Sequence, residues 1–292
     1  MSERVFIIGP GHVGRGLFRA FRASGVEVAG LHGKRASGVA TSTGPLPKEA
    51  ASANVVIVCV RDPQIDETIE EVIAAAEDGR IARGTVVLHT SAIAEPAGLQ
   101  TLKELGNPGG TFHPLVPFTD PEVSATLLRK GWIGIDGENP ARSASRRLAG
   151  HLGARTLDIP PGRKPAYHAA AVISSNFPVV LASVAGHLLR DIGVPDSSAY
   201  QAVESLMSGA LSNMKQALPD DALTGPIVRG DAETVGKHLR ALETHGQALD
   251  VYRAMSAAAV EMARGRGVDQ KKLAALAGML RSAEPQHPRS RR

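Results

Sequence analysis

One histidine and one serine stand where an enzyme built on a β-sheet would place side chains for chemistry. His113 lies at the end of a predicted strand, before Pro114, and Ser91 directly follows the preceding predicted strand. Histidine suits proton transfer because its unperturbed pKa lies near neutral pH, and a hydroxyl can hold a substrate. We therefore predict catalytic roles for both and a substrate-binding role for Ser91. The alternatives are a histidine that only fixes a turn and a serine that only caps a helix or lies in a loop.

A polar stripe on a long apolar helix supplies further candidates. The Ala-rich stretch from residue 163 to about 192 predicts one helix, and at 3.6 residues per turn His168 and Ser175 fall within about 40° of Lys164. Asn176 falls about 120° away. A polar stripe on an apolar helix is costly unless it is paired or functional. We predict Lys164, His168 and Asn176 as catalytic and Ser175 as substrate-binding, the alternative being core side chains bonded to backbone.

A glycine-rich turn follows the first predicted strand. Residues 9–14 read Gly-Pro-Gly-His-Val-Gly, the spacing that places a dinucleotide pyrophosphate on the free N–H groups of a helix start. An apolar strand precedes the turn and an apolar helix face follows it, which is the context this motif requires. The alternative is a turn that binds no nucleotide. The predicted cofactor-binding residues of the turn are Gly9, Gly11, His12, Val13 and Gly14.

The residues after the second strand favour NADP(H) over NAD(H). An NAD site usually has an acidic residue there, whereas this sequence has Lys34 and Arg35 and no acid within reach. Two adjacent cations suit a 2′-phosphate, although an ordinary basic loop has the same composition. Val60 and Arg61, at the end of the next apolar strand, complete the predicted cofactor site.

A later loop offers two more substrate-binding candidates. Thr224-Gly225-Pro226 and Arg229-Gly230-Asp231 lie between predicted helices. The loop would close over the site, with Thr224 lining it and Arg229 recognising a carboxylate. The alternative is a capped turn before the next helix.

Residues 1–159 predict the α/β domain that must position these side chains. Short β-branched runs alternate there with amphipathic helical stretches, a pattern typical of a parallel sheet. The predicted strands are residues 5–8, 26–31, 55–60, 85–89, 111–112, 132–135 and 155–159. Helices are predicted between them, including residues 63–77 and about 139–152.

The strand pattern ends at Pro160-Pro161-Gly162. Residues 160–282 predict an all-helical domain for substrate binding and dimerisation, with helices at about 163–192, 196–217, 231–264 and 269–282 and a break near Gly246. Residues 283–292 form a basic tail that we expect to be disordered.

Composition excludes several function classes. Of the net charge of +4, half comes from the last ten residues, with three Arg against one Glu, and aromatic residues are only 3%, so we expect no nucleic-acid partner. The apolar runs read as too short for a bilayer, so no membrane association is expected. A single cysteine, Cys59, excludes a disulfide framework and a multi-cysteine metal site. We expect no metal, and a soluble cytoplasmic protein.

Taken together, these motifs resemble a known group. With Val58-Cys59-Val60-Arg61-Asp62, Tyr167-His168-Ala169-Ala170-Ala171-Val172 and the loop at residues 223–231, the chain resembles Rossmann-like NADP-dependent oxidoreductases whose all-helical C-terminal domain was of unknown function. The group is related to 6-phosphogluconate and β-hydroxyacid dehydrogenases, pyrroline-carboxylate reductase, prephenate dehydrogenase and ketopantoate reductase. The resemblance implies a Rossmann domain followed by a 6-phosphogluconate dehydrogenase-like helical domain, and a homodimer formed through the C-terminal helices.

The resemblance also bears on individual residues. Prephenate dehydrogenases use a histidine in a His-Pro pair like that of His113 for proton transfer. Ketopantoate reductases and β-hydroxyacid dehydrogenases pair a catalytic lysine with an asparagine one turn later. This chain has Lys164 followed by His168, with apolar Val172 where ketopantoate reductase has a second asparagine, a departure that ranks Lys164 below His168 and Asn176.

The function implied is NADPH-dependent hydride transfer to a small anionic carbonyl compound. Ketopantoate (2-dehydropantoate) is the candidate substrate by analogy, which would place the protein in pantothenate biosynthesis. Two alternatives stay open: an imine reductase of the pyrroline-carboxylate type, and a protein that binds NADP(H) without turnover. If a histidine donates the proton, activity falls as pH rises through its pKa.

Overall fold

A computed structural model describes residues 3–35 and 38–281 of the chain. The predicted basic tail, residues 283–292, lies outside the described residues. The strands are β1 (Arg4–Ile8), β2 (Glu27–Gly33), β3 (Ser42–Thr43), β4 (Val55–Val58), β5 (Val86–His89), β6 (Gly109–Pro114), β7 (Trp132–Gly137) and β8 (Arg155–Asp158). The helices are α1 (His12–Ala23), α2 (Ile65–Glu77), α3 (Gly98–Glu104), α4 (Pro121–Leu128), α5 (Asn139–His151), α6 (Lys164–Asp191), α7 (Asp196–Met214), α8 (Pro219–Ala222), α9 (Ala232–Ala241), α10 (Gly246–Gly265) and α11 (Gln270–Arg281).

The eight strands form one sheet in the order β3-β2-β1-β4-β5-β6-β7-β8. Every neighbouring pair is parallel except β6 and β7, which run antiparallel. The prediction of a parallel sheet is therefore wrong at this pair. The connection from β6 to β7 runs through α4, which packs against α1. The chain therefore returns into β7 at the same end of the sheet at which it left β6. There the backbone N–H of Leu115, just after β6, donates to the carbonyl of Trp132, the first residue of β7.

Apolar side chains cover both faces of the sheet, as strands buried on two sides require. One layer packs β-strand residues such as Ile7 and Phe112 against Leu17 and Phe21 of α1 and Leu148 of α5. The opposite layer packs other strand residues against α2 and α3. Its members include Phe6, Val56, Ile69, Val72 and Leu102.

The chain divides into two compact units, Met1–Asn176 and Phe177–Arg292. The sheet and the first half of α6 belong to the first unit, so this division falls later than the change from strands to helices predicted at residue 160. The second unit has an apolar cluster of its own among α9, α10 and α11, which includes Val235, Val260 and Leu276. As predicted, the helical stretch 231–264 is broken before Gly246.

Helix α6 is apolar and little buried within this chain. Its 28 residues are long enough to cross a bilayer, its most apolar window has a mean hydropathy of 1.6, and 6% of that window is buried. The sequence predicted the helix itself, but its apolar runs were interpreted as too short to cross a bilayer. One such helix is weak support for a membrane span, and its first residue, Lys164, is buried in an ion pair with Asp136 of the sheet.

Candidate functional site

The carboxyl ends of four parallel strands gather most of the predicted residues at one edge of the sheet. Strands β1, β4, β5 and β6 are successive parallel neighbours. The glycine turn follows β1, Arg61 follows β4, Ser91 follows β5, and His113 lies next to the end of β6. In open α/β sheets the ligand crevice lies outside these ends.

The backbone conformation and packing of the turn require glycine at two of its positions but not at a third. Gly9 has φ +108°, a conformation that favours glycine, and a Cβ on Gly14 would collide with the Gly9 carbonyl oxygen. A Cβ on Gly11 would meet nothing within 4 Å. Gly11 therefore leaves space above the start of α1 that no protein atom fills.

The start of α1 is open to an anion. Gly11 is the N-cap residue and no side chain caps the helix, whose first turn carries no acidic residue. The first N–H groups of a helix have no partner within it, and here they include those of His12 and Val13. Free N–H groups beside a residue without a side chain form a cradle that suits a phosphate group.

The prediction that no acid lies within reach of Lys34 and Arg35 is wrong, because Lys34 is paired with two carboxylates of α2. Its Nζ lies 2.9 Å from Oε1 of Glu67 and 2.8 Å from Oε1 of Glu71. The hydrogen bonds to Glu71 and Glu67 raise the pKa of Lys34. The two acids lie one turn apart on α2, more than 30 residues after Lys34, so only the tertiary fold brings them to it. Arg35 is exposed.

The other two strand ends are only partly free to bind a ligand. Val60 is half-buried, and Nε of exposed Arg61 lies 3.3 Å from the side-chain oxygen of Gln64. Ser91 is buried, and its Oγ accepts hydrogen bonds from the N–H groups of Ile93 and Ala94 at 3.2 and 3.0 Å. Ser91 thus caps the turn that follows β5, the structural role considered from the sequence.

Strand alternation places a polar patch on one face of β6 and β7. Thr111 and His113 are two residues apart on β6 and share a face, and their partners across the antiparallel pair are Asp136 and Gly134. Phe112 between them points to the apolar layer against α1. The beginning of α6 bonds to this patch.

Tyr167 of α6 bonds to His113. The hydroxyl oxygen of Tyr167 lies 2.7 Å from Nδ1 of His113, and the two rings meet edge to face with centroids 5.6 Å apart. A Cβ on Gly134 would collide with that hydroxyl, so only glycine at this place in β7 admits the tyrosine. Sequence reasoning missed Tyr167 as a site residue; its place one turn after Lys164 and beside His168 was the available signal.

Burial keeps this pair uncharged. Desolvation, with a smaller contribution from the charge of His168, lowers the pKa of His113 from 6.5 to about 4, while Asp62 opposes the shift. Desolvation also raises the pKa of the Tyr167 hydroxyl. At neutral pH the site therefore contains a neutral imidazole bonded to a protonated phenol.

A cavity of about 870 Å³ brings four of the predicted residues together with Tyr167. Its lining includes His113, His168, Ser175 and Asn176, while its apolar wall includes Leu115, Phe118 and Val172. The centroids of the His113 and His168 rings are 6.5 Å apart, and Nδ1 of His168 is buried with no hydrogen-bond partner among the described residues. A volume of this size is in the range of small-molecule sites.

Lys164 does not line this cavity. Its Nζ donates to the carbonyl of Ala94 at 2.8 Å and lies 3.0 Å from Oδ2 of Asp136, and it borders a second cavity of about 540 Å³. Asp136 also accepts from the N–H of Thr111 at 2.9 Å. This buried ion pair anchors the first turn of α6 to β7, and a catalytic role for Lys164 stays a prediction.

Thr224 and Arg229 belong to the second compact unit. Both are exposed. Asp231 in the same loop caps α9, since its carboxylate accepts from the N–H and hydroxyl of Thr234 at 3.0 and 2.7 Å. The capped turn considered from the sequence is present, and the substrate-binding roles of Thr224 and Arg229 stay predictions.

Comparison with known structures establishes the fold class. A protein from Thermotoga maritima is 22% identical, with a TM-score of 0.68 over 90% of this chain and 99% of its own. The pyrroline carboxylate reductase of Plasmodium falciparum, solved with NADP bound, is 12% identical, with a TM-score of 0.60 over 94% of this chain and 100% of its own. A Rossmann-like α/β domain followed by a helical region, as the sequence resemblance implied, is confirmed.

A narrower match comes from the sequence. Residues 132–259 match the family model described as Domain of unknown function (DUF2520). The matched segment begins at β7 and ends within α10, so it includes Gly134, Asp136 and Tyr167 of the patch and cavity. No curated protein sequence matches this chain.

Proposed function

We propose that the protein is an NADPH-dependent reductase of a small carbonyl compound. The observation that carries the proposal is an open glycine turn on β1 that shares a sheet edge with the neutral His113 and its cavity on β6. Such an edge is where α/β folds bind dinucleotides. The NADP bound in the Plasmodium pyrroline carboxylate reductase supports the choice of cofactor.

The residues present fit NADPH. The N–H groups at the start of α1 would hold the pyrophosphate above Gly11, with Val60 and Arg61 at the adjacent strand end. Arg35 would hold the 2′-phosphate together with Lys34, whose ammonium would exchange its contacts with Glu67 and Glu71 for the phosphate. The reduced nicotinamide supplies a hydride. The protein must then hold the substrate, which we assign to Asn176, Ser175 and the backbone near Ser91, and provide the proton, which we assign to His113 with His168 beside it.

Charge-removing substitutions test the cofactor assignment. We expect Lys34→Ala with Arg35→Ala to weaken NADPH binding while leaving NADH binding nearly unchanged, since each charge-assisted contact to the 2′-phosphate contributes about 1.5–3 kcal/mol. Fluorescence titration with both cofactors measures this. A matched control, Lys48→Ala, removes another exposed cation and should change neither affinity. Equal weakening of both cofactors would refute the 2′-phosphate assignment.

The substrate class follows from analogy and is the part that most needs a direct test. A small anionic carbonyl compound, with ketopantoate first, is our leading candidate, and a cyclic imine acid is the second. The experiment is a screen that follows NADPH absorbance with both classes. Turnover of an imine alone would favour the second candidate. Tight NADPH binding with no turnover of any carbonyl or imine would favour a binding protein.

We also propose that a second copy of this chain covers the apolar faces of α6 and α7. Ile173 and Val179 of α6 are 58% and 70% exposed, and Leu206 of α7 is 74% exposed. Between residues 165 and 189, α6 has no Lys, Arg, Asp or Glu. Such a charge-free apolar face can cover its own copy in a two-fold dimer.

Substitution on these faces tests the dimer. We expect the wild type to sediment as a dimer and Leu206→Glu to sediment as a monomer, because a buried unpaired carboxylate opposes association. Val123→Glu, which alters a 54% exposed residue of α4, should leave the dimer intact. A wild-type monomer that co-sediments with phosphatidylcholine vesicles would contradict the proposal in favour of a membrane surface.

A further inference from the structure

We propose that Tyr167 is a positioning residue that holds neutral His113 in the tautomer with its proton on Nε2, aimed at the substrate. This inference rests on the proposed reduction, in which an oxygen or nitrogen of the substrate must receive a proton. It assigns a function to Tyr167, which belongs to one of the motifs quoted from the sequence but received no role there.

The hydroxyl of Tyr167 has one partner among the described residues. Its oxygen lies 2.7 Å from Nδ1 of His113, an ordinary length for an O–H···N hydrogen bond. The imidazole ring of His113 has no other hydrogen-bond partner in the described part of the chain. Its Nε2 is therefore available to a ligand in the cavity that the ring lines. Gly134 of β7 leaves room for the Tyr167 ring, because a side chain at this position would collide with the phenol.

The direction of this hydrogen bond follows from which of the two groups carries a proton to donate. A half-buried phenol keeps its proton at neutral pH and must donate it, and Nδ1 of His113 is the acceptor that the structure offers. If His113 instead donated from Nδ1, the Tyr167 proton would lack a partner. Donation by Tyr167 leaves Nδ1 without a hydrogen, so the neutral ring carries its one proton on Nε2.

The charged and titratable groups around His113 agree with a neutral ring. Those that face it are Tyr167 and His168 of α6 and Asp62 in the segment between β4 and α2. Buried His89 lies on the neighbouring strand with its Nε2 3.2 Å from the hydroxyl of Thr111. Burial and, to a smaller extent, His168 lower the pKa of His113 by more than Asp62 raises it.

The protons balance in one concerted step. As the substrate carbonyl becomes an alkoxide, the oxygen takes the proton from Nε2 of His113, and Nδ1 takes the proton from Tyr167. The ring stays neutral with its proton moved from Nε2 to Nδ1. The phenolate then takes the Nδ1 proton back while Nε2 takes a proton from water, which restores the starting tautomer. A preorganised Nε2–H directed at the developing charge stabilises the transition state.

Removing only the hydroxyl tests the assignment. In Tyr167→Phe we expect the neutral His113 ring to populate both tautomers, seen in two-bond ¹⁵N–¹H spectra of histidine-labelled protein at pH 7. With the best substrate of the screen, we expect kcat to fall about 10- to 100-fold while KM changes less than threefold, because the substrate contacts remain.

The second unit provides a matched control. Tyr252 bonds to Nδ1 of His238 at 2.9 Å with the same edge-to-face ring geometry, centroids 5.6 Å apart. Tyr252→Phe should change the tautomer of His238 and leave His113 and kcat unchanged.

The spectra test the tautomer of His113 and the kinetics test the effect of that tautomer on turnover, so each can contradict the inference separately. A wild-type His113 with its proton on Nδ1, or a tautomer unchanged in a folded Tyr167→Phe protein, would overturn the inference. If Tyr167→Phe changes the tautomer but retains wild-type kcat, the positioning role is also overturned. Absence of any turnover by the wild type, with the Nε2–H tautomer present, would instead overturn the proposed function.

Discussion

Replacing His113 with Gln should lower kcat by about 10²–10⁴-fold, the range that general acid catalysis supplies, with NADPH affinity nearly unchanged. The loss arises because Gln keeps a hydrogen-bonding side chain in the cavity but has no proton that it can transfer. Steady-state kinetics with the best substrate, beside NADPH binding by fluorescence, measure both quantities. His238→Gln, which breaks the equivalent histidine–tyrosine pair of the second unit, should retain wild-type turnover.

The pH dependence separates His113 from His168 as the proton source. Since burial lowers the pKa of His113 to about 4, the ring is already neutral at pH 6 and stays so at pH 8. Turnover limited by His113 should therefore be level across that interval. A fall in kcat between pH 6 and 8 that disappears in His168→Gln would assign the proton to His168. Wild-type turnover in both single variants would contradict the proton-donor assignment.

Two alanine substitutions in the glycine turn should affect different properties, one of them NADPH binding and the other the stability of the fold. Gly11→Ala should leave the unfolding free energy within about 0.5 kcal/mol of wild type but weaken NADPH binding at least tenfold, about 1.4 kcal/mol. Its methyl group would meet no atom of the described residues within 4 Å and would fill the space that we assign to the pyrophosphate. Gly14→Ala should destabilise the fold by about 1–3 kcal/mol, because its Cβ would collide with the Gly9 carbonyl oxygen.

Urea unfolding and cofactor titration of the two variants make the comparison. Gly38→Ala serves as a control, since a Cβ there also meets nothing within 4 Å and the residue lies outside the turn. It should change neither stability nor NADPH affinity. If Gly11→Ala binds NADPH as tightly as wild type, the space above α1 is not the pyrophosphate site.

Local sequence patterns were enough to locate most elements of the fold. The glycine turn, the strand before it and helix α6 all lie where periodicity and turn residues predicted them. Strand β6 was predicted as residues 111–112 but spans Gly109–Pro114, because glycine and proline read as turn signals. In the structure a Cβ on Gly110 would collide with the Asp136 carbonyl oxygen, so glycine is there for close strand packing.

The candidate site was predictable only as separate residues. His113, His168, Ser175 and Asn176 were selected by residue type, strand position and helical spacing, and they do line one cavity. Lys164 shared the same helical stripe yet lies beside a second cavity. Helical spacing fixes which residues share a face, but it does not fix which neighbouring strand each one meets.

By itself the sequence determined the α/β class, the glycine-rich turn after β1 and the identity of the polar side chains at the strand ends, since these depend on contacts within a few residues. Only the tertiary structure decided the antiparallel β7, the pairing of Lys34 with Glu67 and Glu71, and the bond between Tyr167 and His113. That bond joins residues 54 positions apart. It exists because β7 returns beside β6, Gly134 leaves room, and the Lys164–Asp136 pair anchors α6 over both strands.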